Sequence, residues 1–184
     1  MGRFLILSVL ASMCCVQLVF AQQTQFAPDI RSEQFTDWTY TCVTGPAASE
    51  PSCKLFQSVQ IEQDGQLIEV LSLALSPAED KTGNVEWALI VLTPQDVHLP
   101  SDFGLSFGAA EPVLTRYRNC NPLGCWGVVP ANARVLAGMK QAMDGGGHFR
   151  LLDGQVVKVV FSLRGFTAGF NALARGAFPS GPQE

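Results

Sequence analysis

The chain has 184 residues, 47% of them apolar and 15% charged, with 12 lysines and arginines against 16 aspartates and glutamates for a formal net charge of −4. That balance favours a folded globule over a disordered chain. It contains no basic block or stripe, so the electrostatic footprint of a nucleic-acid binder is excluded.

Met1-Gly2-Arg3 opens the chain, and an apolar run follows from Phe4 to Phe20. None of the first 21 residues is acidic. Val19 and Ala21 supply the −3 and −1 residues of a signal-peptidase site, which places cleavage between Ala21 and Gln22. The run is near the lower limit of roughly 17–25 residues for a membrane span, and Ser8, Ser12 and Gln17 interrupt it. A retained anchor is the first alternative, and lipidation at Cys14 or Cys15 the second, although Met13 suits a lipidation site poorly. The expected organisation is a signal peptide over 1–21, a polar lead-in over 22–34, one β-rich domain over 35–176 and a flexible tail over 177–184. Cleavage removes Arg3 and no acid, taking the net charge from −4 to −5.

Six cysteines fall to four after cleavage: Cys42, Cys53, Cys120 and Cys125. An even number in an exported chain reads as disulfides. Three pairings are open. The local one, Cys42–Cys53 and Cys120–Cys125, is favoured, because Pro122 and Gly124 can turn the second loop back on itself. Loop-closure entropy assigns about 2–3 kcal/mol to each unstrained bridge. Zinc and redox sites both prefer a Cys-x-x-Cys spacing, which neither pair has.

In chain order, residues 38–43 (Trp-Thr-Tyr-Thr-Cys-Val) alternate bulky and small side chains, as a half-buried strand does. Two further strands, Lys54–Ile61 and Leu67–Leu75, flank Asp64-Gly65, the strongest short hairpin signal. Asn84–Leu92 is apolar throughout and is expected to be a central strand buried on both faces. Pro94 and Pro100 exclude a regular central strand between them. Phe103–Phe107, Val113–Tyr117 and Cys125–Val129 are shorter candidates. Ala131–Met143 has helical spacing of Val135, Leu136, Met139 and Met143, with Asn132 as its cap and Gly145-Gly146-Gly147 as a flexible exit. Asp153-Gly154 joins His148–Leu152 to Gln155–Leu163 in a second hairpin. Phe166–Ala174 is a short terminal helix or strand. The pattern implies a mainly β, antiparallel β-sandwich or β-barrel-like single domain with one or two short helices.

No constellation of catalytic residues emerges. The histidines, His98 and His148, have Asp96 and Asp144 near them in sequence, a generic surface arrangement. There is no Gly-x-Ser-x-Gly elbow. The Asp144–His148 stretch follows a helix and lacks the Gly-Lys-Ser/Thr ending of a P-loop. Glu79-Asp80 precedes Lys81-Thr82-Gly83 and reads as a solvated turn. Trp38, Trp87 and Trp126 could stack on a sugar or a peptide, but core membership is the simpler expectation, with Trp126 packing on the adjacent disulfide. The residues therefore point to no catalytic residue, no cofactor and no metal.

Four blocks in order carry a family resemblance: Asp37–Cys42 with Cys53–Gln57; Leu92–Leu99 leading to Gly104–Phe107; Cys120–Cys125; and Phe161–Ala168. Together, over about residues 35–174, the chain resembles the invasion-associated locus B family of exported alphaproteobacterial proteins. The resemblance implies a β-rich periplasmic or outer-membrane-associated protein, and maps only the four cysteines as a shared feature. An exported, disulfide-bonded β domain without a convergent polar site suggests a non-enzymatic domain that binds an envelope or host protein or an envelope component; a host-cell invasion factor at the bacterial surface is the alternative. A periplasmic hydrolase or redox enzyme is the remaining reading. The family usually has a Pro-Leu-Gly-Val type turn where this chain has Pro94-Gln95-Asp96-Val97, so an altered backbone is expected there.

Overall fold

The computed structural model describes residues 27–79 and 81–176. The signal peptide with its Ala21–Gln22 junction, Asp80 and the 177–184 tail lie outside the described residues. Eleven strands and two helices run in the order β1 (Asp29–Phe35), β2 (Trp38–Thr44), β3 (Ser52–Gln63), β4 (Gln66–Glu79), β5 (Val85–Thr93), β6 (Phe103–Phe107), β7 (Val113–Thr115), β8 (Tyr117–Asn121), β9 (Gly124–Pro130), α1 (Ala133–Gln141), β10 (Asp144–Arg150), β11 (Val156–Ser162) and α2 (Phe166–Ala174).

The strands form two antiparallel sheets, ordered β1-β2-β3-β4-β5-β9-β8 and β11-β10-β6-β7. Neither closes into a barrel, so the sandwich is the form adopted. Alternation puts Trp38, Tyr40, Leu55, Leu73, Leu75, Leu89 and Val91 of the large sheet on the inner side. Phe103, Leu105, Phe149 and Phe161 of the small sheet join the same core. The large sheet is wider, and α2 covers part of the excess by packing on β1, β2 and β3. Its Phe166 meets Trp38 edge-on at 5.2 Å, and its Phe170 meets Trp87 at 5.1 Å. Lys140 of α1 lies over the Phe170 ring at 4.1 Å, tying the helices together.

Local signals explain the connections. Asp64 and Gly65 both have positive φ (51° and 76°), the geometry an Asp-Gly hairpin turn demands. Asn132 caps α1, its Oδ1 accepting from the Val135 N–H at 3.1 Å. Gly165, at φ 87°, turns the chain into α2.

Several expectations are corrected. The polar lead-in contains strand β1, because hairpin pairing with β2 satisfies its backbone although its side chains are mostly exposed. β5 is buried on one face only: Leu89 and Val91 point inward, whereas Ile90 is 37% exposed. Val113–Tyr117 divides between β7 and β8, which belong to different sheets. Trp126 lies on the opposite face from buried Cys125, since successive strand residues alternate, and so does not pack on the bridge.

The largest correction concerns Gly145-Gly146-Gly147. These residues are not a flexible exit but the first half of β10, hydrogen-bonded between β6 and β11. Their lack of side chains is a packing requirement. A Cβ on Gly145 would overlap the Phe161 ring, and one on Gly147 would come within 2.9 Å of Leu71 Cδ2 and 3.3 Å of Phe103 Cζ. The bare backbone lets aromatic rings of the small sheet and a leucine of the large one fill that space. Gly145→Ala is therefore expected to lower unfolding free energy by about 1–3 kcal/mol through overpacking. Gly45→Ala, whose Cβ would meet only Ala48 at an ordinary 3.8 Å, should stay within about 0.5 kcal/mol of the parent. Urea denaturation of the two variants checks this.

Candidate functional site

The four sequence blocks come together in pairs. Blocks one and four form a clasp. Trp38 Nε1 donates to the Ser162 carbonyl at 3.0 Å, and Gln57 Nε2 to the Asp37 carbonyl at 2.8 Å. The Asp37 carboxylate accepts from Ser162 Oγ at 2.6 Å and Arg164 Nε at 3.0 Å. A Cβ on Gly165 would collide with the Phe35 carbonyl, so the two chain segments touch through backbone. The Ser162 hydroxyl above all, with Arg164 adding to it and desolvation opposing, holds the Asp37 carboxyl below the usual carboxylate range.

Blocks two and three meet in the same manner. Thr93 Oγ1 donates to the Cys125 carbonyl at 3.1 Å, and Gln95 Nε2 to the Asn121 carbonyl at 2.6 Å. Gly124, at φ 148°, leaves room for the Thr93 carbonyl. Cys42 is bonded to Cys53 across β2 and β3, and Cys120 to Cys125 across β8 and β9. Asp96 occupies no left-handed backbone. Its carbonyl accepts from Leu152 N–H at 2.9 Å, so an aspartate fits the turn that a glycine was expected to require. The blocks thus read as structural joints.

The histidines are not brought to Asp96 or Asp144. His98 Nδ1 pairs with Ser101 Oγ at 2.8 Å, and His148 Nε2 with Ser106 Oγ at 2.8 Å. Ser106 is 6% exposed and sits on β6 directly across from Gly146, to whose carbonyl it also donates at 3.5 Å. Desolvation, then the Lys158 charge, lowers the His148 pKa. A serine beside a histidine has two parts of a nucleophilic site, but among the described residues no carboxylate is bonded to this imidazole. Among the described residues no group of three or more histidine, cysteine or acidic side chains could hold a metal. Glu79 ends β4, and its neighbour Asp80 lies outside the described residues.

An apolar concavity lies elsewhere, and it arises from strand length. β3 and β4 have 12 and 14 residues, whereas β10 and β11 have 7 each. The long hairpin overhangs the small sheet, and a bulge after Val59 bends it. Between the overhang and the small sheet opens a cleft of about 750 Å³, walled by Val59, Ile61, Ile68 and Val70 on one side and by Phe149, Leu151, Val157 and Val159 on the other. Asp96 and Lys158 stand at its border. Sequence reasoning missed this cleft. Its only signal was that Ile61 and Ile68 continue the apolar pattern right up to the turn.

The sequence model of the Invasion associated locus B (IalB) protein family matches residues 38–174. The chain belongs to this family. Its fold is similar to that in the crystal structure of invasion associated protein b from Bartonella henselae, with a TM-score of 0.63 at 14% sequence identity, covering 78% of this chain and 96% of that one. No curated protein matches the chain. The family match begins at Trp38 and ends at Ala174, the last residue of α2. Of the clasp residues, Trp38, Ser162 and Arg164 lie within the match, and Asp37 immediately precedes it.

Two outcomes follow for this family member. The Asp37 pKa is lower in the folded state, so its stabilising contribution is present above the unfolded value near 3.8 and is lost as pH falls below it. Asp37→Asn should flatten the acid limb of a plot of urea midpoint against pH. The His148 pKa is also lowered, so the unfolded chain takes up that proton first as pH drops through about 6.5. Stability should decline there, and His148→Gln should remove that part of the slope. Separately, replacing both Cys120 and Cys125 by serine is expected to cost about 2 kcal/mol, read as a lowered thermal midpoint.

Proposed function

We propose that this chain is exported to the bacterial envelope, resides in the periplasm or against the outer membrane, and acts there as a non-enzymatic binding domain. The observation that carries this reading is the cleft under the β3–β4 overhang. It is built largely from branched apolar side chains, and Ile61 and Ile68 in its wall are exposed at 47% and 38%. Exposed apolar residues clustered around a concavity mark a contact site for another molecule. An apolar segment of a partner protein, or the apolar part of an envelope component, matches that lining. The leader over 1–21 and the two disulfides support an oxidising compartment outside the cytoplasm.

A photo-crosslinking residue at Ile61 or Ile68 should capture a discrete partner in intact envelopes, while the same residue at exposed Leu123 should not. With the crosslinker at one of the two isoleucine positions, aspartate at the other should abolish capture without altering secondary structure. Equal capture from all three positions, or none, would remove the cleft from consideration. Mass spectrometry of the mature protein should show Gln22 as its first residue.

A host-facing role is the second reading, favoured by the family's description as invasion associated. It requires surface exposure. Protease added to intact cells should then degrade the protein, and complete protection would eliminate the role.

A further inference from the structure

The water-facing side of an antiparallel sheet is ordinarily polar, yet one patch on the outer face of the large sheet is not. Phe56, Ala74, Ile90 and Val128 are successive cross-strand neighbours there, and Ser72, Leu92 and Trp126 form the adjoining row. Large side chains stand on both sides of two small ones. The result is a depression of about 460 Å³ with Ala74 and Ser72 as its floor and Phe56 and Trp126 among its walls. Neither helix covers it, since α1 and α2 contribute nothing to its lining.

Two details distinguish it from a merely uncovered apolar face. First, Ser72 is 6% exposed, and its hydroxyl finds no hydrogen-bond partner among the described residues. Its cross-strand neighbour Ser58 instead donates to Glu69 at 2.5 Å. Buried polar atoms are nearly always paired, and Ala74 beside it shows that this floor accepts a residue without a hydroxyl. Second, the border carries one cation, one anion and one amide: Lys54, Glu69 and Asn121. These charges cancel, so the site favours an uncharged ligand rich in hydrogen-bonding groups. A fatty chain would leave the border groups unused, and a phosphate would face Glu69.

We infer that this depression is a saccharide site, in which the C–H face of an uncharged pyranose ring stacks on Trp126 while its hydroxyls meet Glu69, Asn121, the Ser72 hydroxyl and Lys54, whose ammonium lies 5.3 Å over the Phe56 ring. Flat aromatic walls beside a few polar groups suit a ring that is apolar on its faces and polar at its edge. The site is separate from the cleft under the β3–β4 overhang and does not depend on it.

Titration with trisaccharides of β-1,4-linked glucose and of β-1,4-linked N-acetylglucosamine tests the inference. Trp38 is fully buried and Trp87 packs on Phe170, so a change in tryptophan emission reports on Trp126. At least one trisaccharide should give a saturable change at millimolar concentration or below, with amide shifts confined to residues 54–58, 69–74, 90–92 and 119–126. Trp126→Ala should weaken binding about tenfold or more, and Ser72→Ala about threefold to tenfold. Lys54→Ala and Glu69→Gln alter exposed border groups, so they should weaken binding while the thermal midpoint is unchanged. Ile61→Asp with Ile68→Asp should leave the sugar response intact, which separates this site's failure from that of the cleft. Absence of saturation with both sugars overturns the inference. So does binding that the border variants leave untouched, or occupancy by a fatty acid in place of either sugar.

Discussion

Everything in this molecule hangs on the clasp between the start and the end of the domain. Trp38 reaches from the first turn of the large sheet to the Ser162 carbonyl at the last residue of the small sheet. Its ring is fully buried and meets Phe166 of the closing helix. Asp37 adds a charged bond to Arg164 and a hydroxyl bond to Ser162. The pair is partly solvent-exposed and contributes geometry more than energy. The buried aromatic contact supplies the larger share, because apolar area removed from water is the dominant favourable term in folding. With the two sheets fastened at this corner, Gly145 of β10 lies against Phe161 and Gly147 against Leu71.

The two surfaces proposed for binding both follow from a mismatch between the sheets. The large sheet has seven strands, and the small one has four. Helix α2 covers part of the inner surplus, and the remainder is the overhang that walls the cleft. Among the described residues no helix lines the depression on the outer face. There the alternation of large and small side chains across β3, β4, β5 and β9 shapes a depression out of a plain sheet.

The two hairpins and helix α1 were legible from residues 63–66, 153–154 and 132, because turn and cap chemistry is local: a positive φ or an unsatisfied N–H is met by a residue one to three positions away. The cysteines were legible in number, and their proximity in sequence favoured local pairs. The glycine triplet was misread for the opposite reason. Nothing near Gly145 requires glycine; the requirement comes from Phe161, sixteen residues on, and for Gly147 from Leu71 in the other sheet. Trp126 was misassigned because its neighbour in sequence, Cys125, is not its neighbour across the fold. The family blocks were recognised as patterns, but their pairing, one with four and two with three, joins segments more than a hundred residues apart in the first case.

By itself, then, the sequence determined the β-rich class, the turns, the helix cap, the cysteines available for bridges and the expectation of export. Each depends on residue type and on spacing along the chain. Only the tertiary structure decided that the sheets form a sandwich, that the triple glycine is a packed strand, and where the cleft and the outer depression lie. Those features depend on which side chains oppose one another across strands, and on the unequal lengths of strands in different sheets. Neither quantity exists until the chain has closed on itself.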